Sequence, residues 1–131
     1  MVLGAEGVQI GTRFALTEES SASPVFKDYC LSLGEGDTKL LLKKLAPTRL
    51  VKNAFREAVE KAEDSGASAE DLRTLLGRGR AKKGIFEGDL EEGELEIGQV
   101  SAIISRRQSV AEVMNELVAA YQRAAKKDYL F

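Results

Sequence analysis

Apolar and polar residues first alternate at residues 8–10, between Gly7 and the pair Gly11-Thr12. Alternation with a period of two predicts a short buried strand, and the glycine after it predicts a tight turn. A strand has to pair with other strands because its backbone donors and acceptors need partners. The rest of the chain offers few partners, the best being a second short strand through Lys39–Leu42.

Most of the remaining apolar positions recur at helical spacing. Ser23-Pro24 predicts the start of a helix because proline suits the first helical position, and that helix ends near Gly34. A long amphipathic helix is predicted from Thr48 to about Asp64. The sequence therefore predicts a mainly helical chain with very little sheet.

Two capping signatures predict the start of further helices, one at Ser68–Asp71 and one at Ser109–Glu112. A short apolar helix is predicted within residues 100–105, and residues 126–131 are expected to fray. The last helix is expected to bury a face made of six apolar residues: Val110, Val113, Met114, Leu117, Val118 and Tyr121.

Residues 77–99 are rich in glycine and charge and predict a long loop, with Ile85 and Phe86 as its anchors. The loop begins with four basic residues, which are Arg78, Arg80, Lys82 and Lys83. A run of charge is usually a solvated face, and the acidic run that follows can neutralise it. We therefore expect no nucleic-acid binding here.

Composition limits the chemistry. The chain has 131 residues, the length of one ordinary domain, and a net charge of −2, which argues against a general nucleic-acid or anionic-membrane binder. It contains no histidine, which excludes histidine-based catalysis and metal sites within the chain. Its one cysteine, Cys30, lies on an apolar helix face and is expected to be a small buried hydrophobe. No apolar run reaches membrane-spanning length and no signal peptide is evident, so a cytoplasmic protein is expected.

Four segments together resemble one enzyme family. They are GAEGVQIGTRF (residues 4–14), EESSASP (18–24), TRLVKNAF (48–55) and GELEIGQVSAIIS (93–105). In this order and spacing they resemble the C-terminal region of the FMN-dependent family that contains nitronate monooxygenases (2-nitropropane dioxygenases) and enoyl-acyl carrier protein reductase II. That family consists of TIM barrels, which need about 250 residues. The resemblance implies an α/β chain that is a C-terminal fragment of such a barrel.

On that reading, residues 1–33 hold the last strand and helix of the flavin-binding barrel, and residues 34–131 form a mostly helical extension that covers it. Met1 is expected to be an internal methionine of the parent enzyme. The alternative is a self-standing, non-enzymatic helical interaction module with no cofactor.

The resemblance implies cofactor-binding roles for three residues. Gly11 and Thr12 would contact the FMN phosphate, since glycine allows close backbone approach and threonine adds a hydroxyl donor. Gln99, after Gly98, would donate to a flavin carbonyl or a substrate oxygen. The structural alternatives are a plain strand-to-helix turn at Gly11-Thr12 and a helix start at Gly98 with glycine chosen for packing. Arg13 would supply charge or a structural ion pair.

The implied activity is oxidoreduction at the flavin, either O₂-dependent oxidation of an alkyl nitronate or NAD(P)H-dependent reduction of an enoyl thioester. No catalytic or metal-binding residue is expected within the chain, which is expected to be inactive alone. The partners would be a small-molecule substrate or an acyl carrier protein, and a homodimer is also considered. The basic loop would meet an acidic partner of this kind or the phosphate of a nicotinamide cofactor.

Overall fold

The computed structural model describes residues 4–125. Within that part of the chain the elements are α1 (Thr12–Ala15), α2 (Pro24–Leu31), β1 (Thr38–Leu41), β2 (Thr48–Val51), α3 (Ala54–Asp64), α4 (Ala69–Leu76), a π-helix (Lys82–Phe86), a 3-10 helix (Gln99–Ile103) and α5 (Val110–Ala125). The prediction for residues 126–131 falls outside the described residues.

A small antiparallel sheet lies at the centre of the fold. β1 pairs with β2, with Thr38 opposite Val51 and Leu41 opposite Thr48. Residues 95–97 run along the other edge of β2, where the Val51 N–H donates to the Leu95 carbonyl at 2.9 Å. The predicted strand at 39–42 is therefore confirmed to within one residue, and the chain is a small α/β unit.

The long helix predicted from Thr48 is wrong over its first six residues. Residues 48–51 form β2, and α3 begins only at Ala54, where the Asn53 side chain accepts a hydrogen bond from the Arg56 N–H at 2.8 Å. Leu50 and Val51 are fully buried between the neighbouring extended segments. Strand pairing on both sides outweighs the helical spacing of these apolar residues, since tertiary context decides the conformation of short apolar runs.

The strand predicted at residues 8–10 is not formed. These residues have no regular secondary structure, and the Val8 side chain is 80% exposed. The described part of the chain contains no segment paired with them, and an unpaired strand leaves its backbone groups unsatisfied. The turn after them does lead into a helix, the short α1.

The predicted helix starts are confirmed by their caps. The Ser23 side chain accepts from the Phe26 N–H at 3.2 Å, with Pro24 in the first turn of α2. Ser68 and Asp71 form a reciprocal capping box at α4. At α5, the Glu112 carboxylate accepts from the Ser109 N–H at 2.7 Å while the Ser109 hydroxyl accepts from the Glu112 N–H at 3.2 Å.

Two hydrophobic clusters form the core. The first joins the N-terminal third to the C-terminal third and contains Leu16, Ala22, Phe26, Cys30, Leu33, Val51, Leu95, Ile97 and Ile104. The second is local and contains Leu41, Leu42, Leu50, Phe55, Val59 and Leu72. The first cluster takes residues from both sides of the predicted division at residue 33, which itself stays a prediction.

The predicted buried face of the last helix is wrong in this chain. Only Val113 is buried, whereas Val110, Met114, Val118 and Tyr121 are each at least 37% exposed. An apolar groove of about 470 Å³ separates this face from residues 7–14. The helix is amphipathic as predicted, but no other described segment covers its apolar face.

The loop at 77–99 is more ordered than predicted, because the π-helix and the edge segment 95–97 both belong to it. Ile85 packs against the first cluster as expected, but Phe86 is 51% exposed and is not an anchor. The buried contacts of the loop come instead from Leu95 and Gly84. Gly93 packs so closely against Gly84 that a Cβ at Gly93 would lie 2.3 Å from the Gly84 Cα.

Candidate functional site

Two of the predicted binding segments meet in the structure. The Thr12 hydroxyl oxygen accepts a hydrogen bond from the Gly98 N–H at 3.1 Å, although the two residues are 86 positions apart. Thr12 is the first residue of α1, and Gly98 precedes the 3-10 helix that begins at Gln99. The contact therefore places the Gly11-Thr12 turn beside the Gly98-Gln99 pair.

Position 98 requires a glycine because of this contact and not because of its backbone angles. Its φ of −71° and ψ of 152° are open to any residue, but a Cβ there would lie 2.5 Å from the Thr12 hydroxyl oxygen. Because Thr12 accepts from Gly98, its own hydroxyl proton is left to donate elsewhere. At Gly11 a Cβ would meet no atom within 4 Å, so the space in front of this turn is open.

Two clefts flank the Thr12–Gly98 contact. The first, of about 400 Å³, is lined by Thr12, Ala15, Arg49, Glu96, Ile97 and Gly98. The second, of about 560 Å³, includes Gly34, Glu35, Gly36, Thr38, Arg49 and Gln99. We name them the Thr12 cleft and the Gln99 cleft. Thr12 and Gln99 thus line neighbouring clefts rather than one pocket.

Arg49 is the residue common to both clefts. It lies on β2, is partly buried, and donates from Nη1 to the Thr38 hydroxyl at 3.3 Å. Sequence reasoning missed it because residues 48–64 were predicted as one helix, in which residue 49 would face solvent. In β2, Arg49 lies opposite residue 97, whose N–H donates to the Arg49 carbonyl at 3.3 Å, next to Gly98.

Comparison with known proteins shows the family. The family model described as nitronate monooxygenase matches residues 1–120. The chain belongs to the nitronate monooxygenase family. A probable nitronate monooxygenase of Bacillus subtilis (strain 168) is 32% identical over 118 residues, which cover 89% of this chain and 34% of that protein. The resemblance carried by the four sequence segments is therefore confirmed.

Solved structures agree with this assignment. FabK from Thermotoga maritima matches with a TM-score of 0.84 and 28% identity, covering 95% of this chain and 40% of FabK. A point mutant of the same FabK matches with a TM-score of 0.78 and 26% identity, covering 95% and 37%. The chain thus spans between about a third and two fifths of the length of these relatives.

Arg13 is a structural ion-pairing residue in this member of the nitronate monooxygenase family. Its guanidinium donates to the Gln108 side-chain oxygen and lies 3.2 Å from the Glu116 carboxylate. Glu116 also accepts from the Gln108 amide, and this bond, followed by those to the arginines, lowers the pKa of Glu116. The network joins α1 to α5 and leaves Arg13 engaged away from the clefts.

The basic loop is neutralised in part within the chain, since two of its four basic residues pair with the acidic run that follows. Arg80 lies 4.4 Å from the centre of the Phe55 ring and donates to the carbonyls of Leu75, Leu76 and Glu92. Lys82 pairs with Glu87 at 3.3 Å. Arg80 is thus a structural residue, while Arg78 and Lys83 are exposed.

Cys30 is completely buried, as predicted, and burial raises the pKa of its thiol to about 12. Among residues 4–125, no group of three or more acidic or cysteine side chains is placed to hold a metal ion. In the same part of the chain, no helix is long and apolar enough to cross a membrane.

Proposed function

We propose that this chain supplies FMN-phosphate and pocket contacts in an FMN-dependent oxidoreductase of the nitronate monooxygenase or enoyl-acyl carrier protein reductase II type. In this proposal it corresponds to the last βα unit of a TIM barrel together with the helical extension. Membership of the nitronate monooxygenase family supports the chemistry, and the structural similarity to FabK supports the placement.

One observation carries the proposal: the hydrogen bond between the Thr12 hydroxyl and the Gly98 N–H. It joins the two segments to which the family resemblance gives binding roles, across most of the length of the chain. It sets the Gly11-Thr12 turn beside the Gly98-Gln99 pair, so that residues of both segments line neighbouring clefts.

The residues present fit the phosphate end of FMN. Thr12 retains a hydroxyl proton that can be donated to a phosphate oxygen, and the open space at Gly11 admits an anion close to the backbone. In the neighbouring cleft, the Gln99 carboxamide supplies both a donor and an acceptor for a flavin carbonyl or a substrate oxygen. When bound, FMN supplies the redox chemistry, while these residues bind and orient.

No residue of this chain is proposed as catalytic. The chain has no histidine, and burial raises the pKa of its one cysteine to about 12, so it offers neither a histidine base nor a thiolate nucleophile near neutral pH. We therefore propose that the chain alone is inactive and that acid–base groups, where needed, come from other parts of the parent enzyme.

Flavin binding tests the proposal directly. FMN and riboflavin, which lacks the phosphate, are titrated into the 131-residue chain and into a longer natural protein containing it. FMN should bind about tenfold or more tightly than riboflavin, since a charge-assisted hydrogen bond is lost with the phosphate. Thr12→Val should reduce this preference, whereas Thr12→Ser, which keeps the hydroxyl, should retain it.

Equal binding of FMN and riboflavin, or flavin binding by neither protein, would overturn the proposal. The alternative, a helical interaction module, predicts that neither protein binds flavin and that the flavin-free chain unfolds cooperatively. If flavin binds, the loaded longer protein is assayed with an alkyl nitronate and O₂, and with an enoyl thioester and NAD(P)H. Turnover of one substrate identifies the reaction, and turnover of neither contradicts both.

A further inference from the structure

Arg49 differs from the other partly buried arginines. Four of these pair with a carboxylate, namely Arg13 with Glu116, Arg56 with Glu60, Arg80 with Glu92 and Arg107 with Asp28. Among residues 4–125, no carboxylate lies within ion-pair distance of Arg49. Within that part of the chain Arg49 therefore places a positive charge at the two clefts without an ion-pair partner.

Arg49 lines both clefts, and a hydrogen bond ties its side chain to the Gln99 cleft. Among residues 4–125 that bond, to the neutral hydroxyl of Thr38, is the one its side chain makes, and Thr38 lines the Gln99 cleft but not the Thr12 cleft. The guanidinium group has five donors in a planar fork, and most of them have no partner among residues 4–125. The backbone glycines Gly34 and Gly36 and the Gln99 carboxamide complete the walls, with the exposed Glu35 as the acidic residue of the cleft.

We infer that the Gln99 cleft binds an oxyanion, with Arg49 as the residue that recognises it. A guanidinium fork matches anions that present two oxygens side by side, and such pairs are stronger than neutral hydrogen bonds. The Gln99 amide, which lines the same cleft, supplies a further donor. The occupant is thus an acidic group of the carboxylate, nitronate or phosphate type. It binds in the cleft next to the Gly11-Thr12 turn and not at that turn itself.

Assigning this anion to the substrate rests on the proposed function, whereas oxyanion binding as such does not. An alkyl nitronate carries its charge over two oxygens in the manner of a carboxylate. An enoyl thioester group is neutral, so its carbonyl oxygen can accept a hydrogen bond from Arg49 but offers no charge to pair with, although a phosphate elsewhere in such a substrate does. The site therefore favours a substrate with an anionic group.

The inference is tested on the full 131-residue chain by NMR titration with acetate, phosphate, propane-2-nitronate or chloride at matched ionic strength. The oxyanions should give saturable shifts of the Arg49 Nε–H, the Gln99 side-chain amide and the Gly36 N–H, and chloride should not. Arg49→Met should weaken binding about tenfold or more, since a charge-assisted pair is removed. Arg73→Met, at an exposed arginine of α4 that pairs with Glu70, is the matched control and should bind as the wild type does.

Two milder variants keep the test valid if Arg49→Met does not fold. Arg49→Lys keeps the charge but loses the fork and should bind more weakly than the wild type. Gln99→Ala changes an exposed side chain and should also weaken binding. Binding that is unchanged in all three variants, or equal shifts with chloride, would overturn the inference.

The anion used separates the two sources of the group. Tighter binding of nitronate and acetate than of phosphate supports a substrate with a two-oxygen head group, and the reverse order supports a substrate phosphate. Oxyanion binding by a chain that binds no flavin, even within the longer protein, would overturn the proposed function but not this inference. Flavin binding without oxyanion binding would overturn this inference but not the proposed function.

Discussion

The hydroxyl of Thr12 accepts a hydrogen bond from the N–H of Gly98, and the glycine is held there because a side chain would collide with that same hydroxyl. The space needed by the Thr12 hydroxyl thus explains the glycine at position 98, and the Gly98 N–H explains the hydroxyl at position 12. A contact of this kind between distant segments fixes the relative position of the two clefts beside it, and so it links the fold to the proposed binding site.

Replacing Gly98 by alanine should lower the free energy of unfolding by about 1–3 kcal/mol, as is usual when a close contact is broken. The added Cβ would force Thr12 away and break the hydrogen bond. Urea unfolding measures the loss, and Gly11→Ala, where the added Cβ meets open space and φ is −97°, is the matched control and should be close to neutral. On a Thr12→Ala background the effect of Gly98→Ala should nearly vanish; an undiminished effect there would contradict the steric explanation.

Replacing Arg80 by methionine should destabilise the protein by about 2 kcal/mol, since a cation–π contact and several charged hydrogen bonds to carbonyls are lost. Arg78→Met, two residues away on the exposed part of the same loop, should change stability by much less. Thermal unfolding of both variants makes the comparison. Equal effects would mean that the contacts of Arg80 with Phe55 and the α4 carbonyls contribute nothing.

The network around Glu116 should make stability depend on pH. Hydrogen bonds from Gln108 and Arg106, with the charge of Arg13, lower the pKa of Glu116 from its ordinary value of 4.5. A carboxylate whose pKa is lowered in the folded state stabilises that state at pH values above its pKa in the unfolded chain. This stabilisation is lost as the pH falls through its pKa in the folded state.

Urea unfolding between about pH 6 and pH 3 should therefore show a smaller acid-induced loss of stability for Glu116→Gln than for the wild type. Glu57→Gln, at an exposed glutamate of α3 with no ion pair among the described residues, serves as the control and should lose as much stability in acid as the wild type does. An acid response of Glu116→Gln that matches the wild type would argue against a role for the network.

The buried thiol of Cys30 should react with a thiol reagent only when the first hydrophobic cluster opens. Burial raises the pKa of Cys30 to about 12, so very little reactive thiolate exists at neutral pH. We expect slow labelling of the native protein and rapid labelling in denaturant, measured by mass spectrometry. Rapid labelling under native conditions would show that the cluster around Cys30 is open in solution.

Local signals predicted much of the fold. The caps at Ser23, Ser68 and Ser109 depend on residues three positions apart, and each helix starts where its cap indicates. The apolar run at residues 48–51 fits a helix and a strand equally well, and only its neighbours β1 and 95–97 decide between them. For α5 the pattern identifies the apolar face but carries no information about what covers it.

The candidate site was predictable only in part. The family resemblance pointed to Gly11, Thr12 and Gln99, but not to the hydrogen bond that joins Thr12 to Gly98. Arg49 was hidden by the wrong helix assignment. Its lack of a carboxylate partner is a property of the folded chain, because it depends on which acidic residues of distant segments come near.

The two hydrophobic clusters differ in when they can form during synthesis. The second contains only residues between Leu41 and Leu72, so it can close as soon as that short stretch has left the ribosome. The first needs Leu16 and Ile104 together, and contacts of such long sequence separation form late because a long loop must close first. We therefore expect the sheet and α3 to fold first and the N-terminal turn and the Gly98 segment to dock onto them last, so that the Thr12 and Gln99 clefts form at the final step of folding.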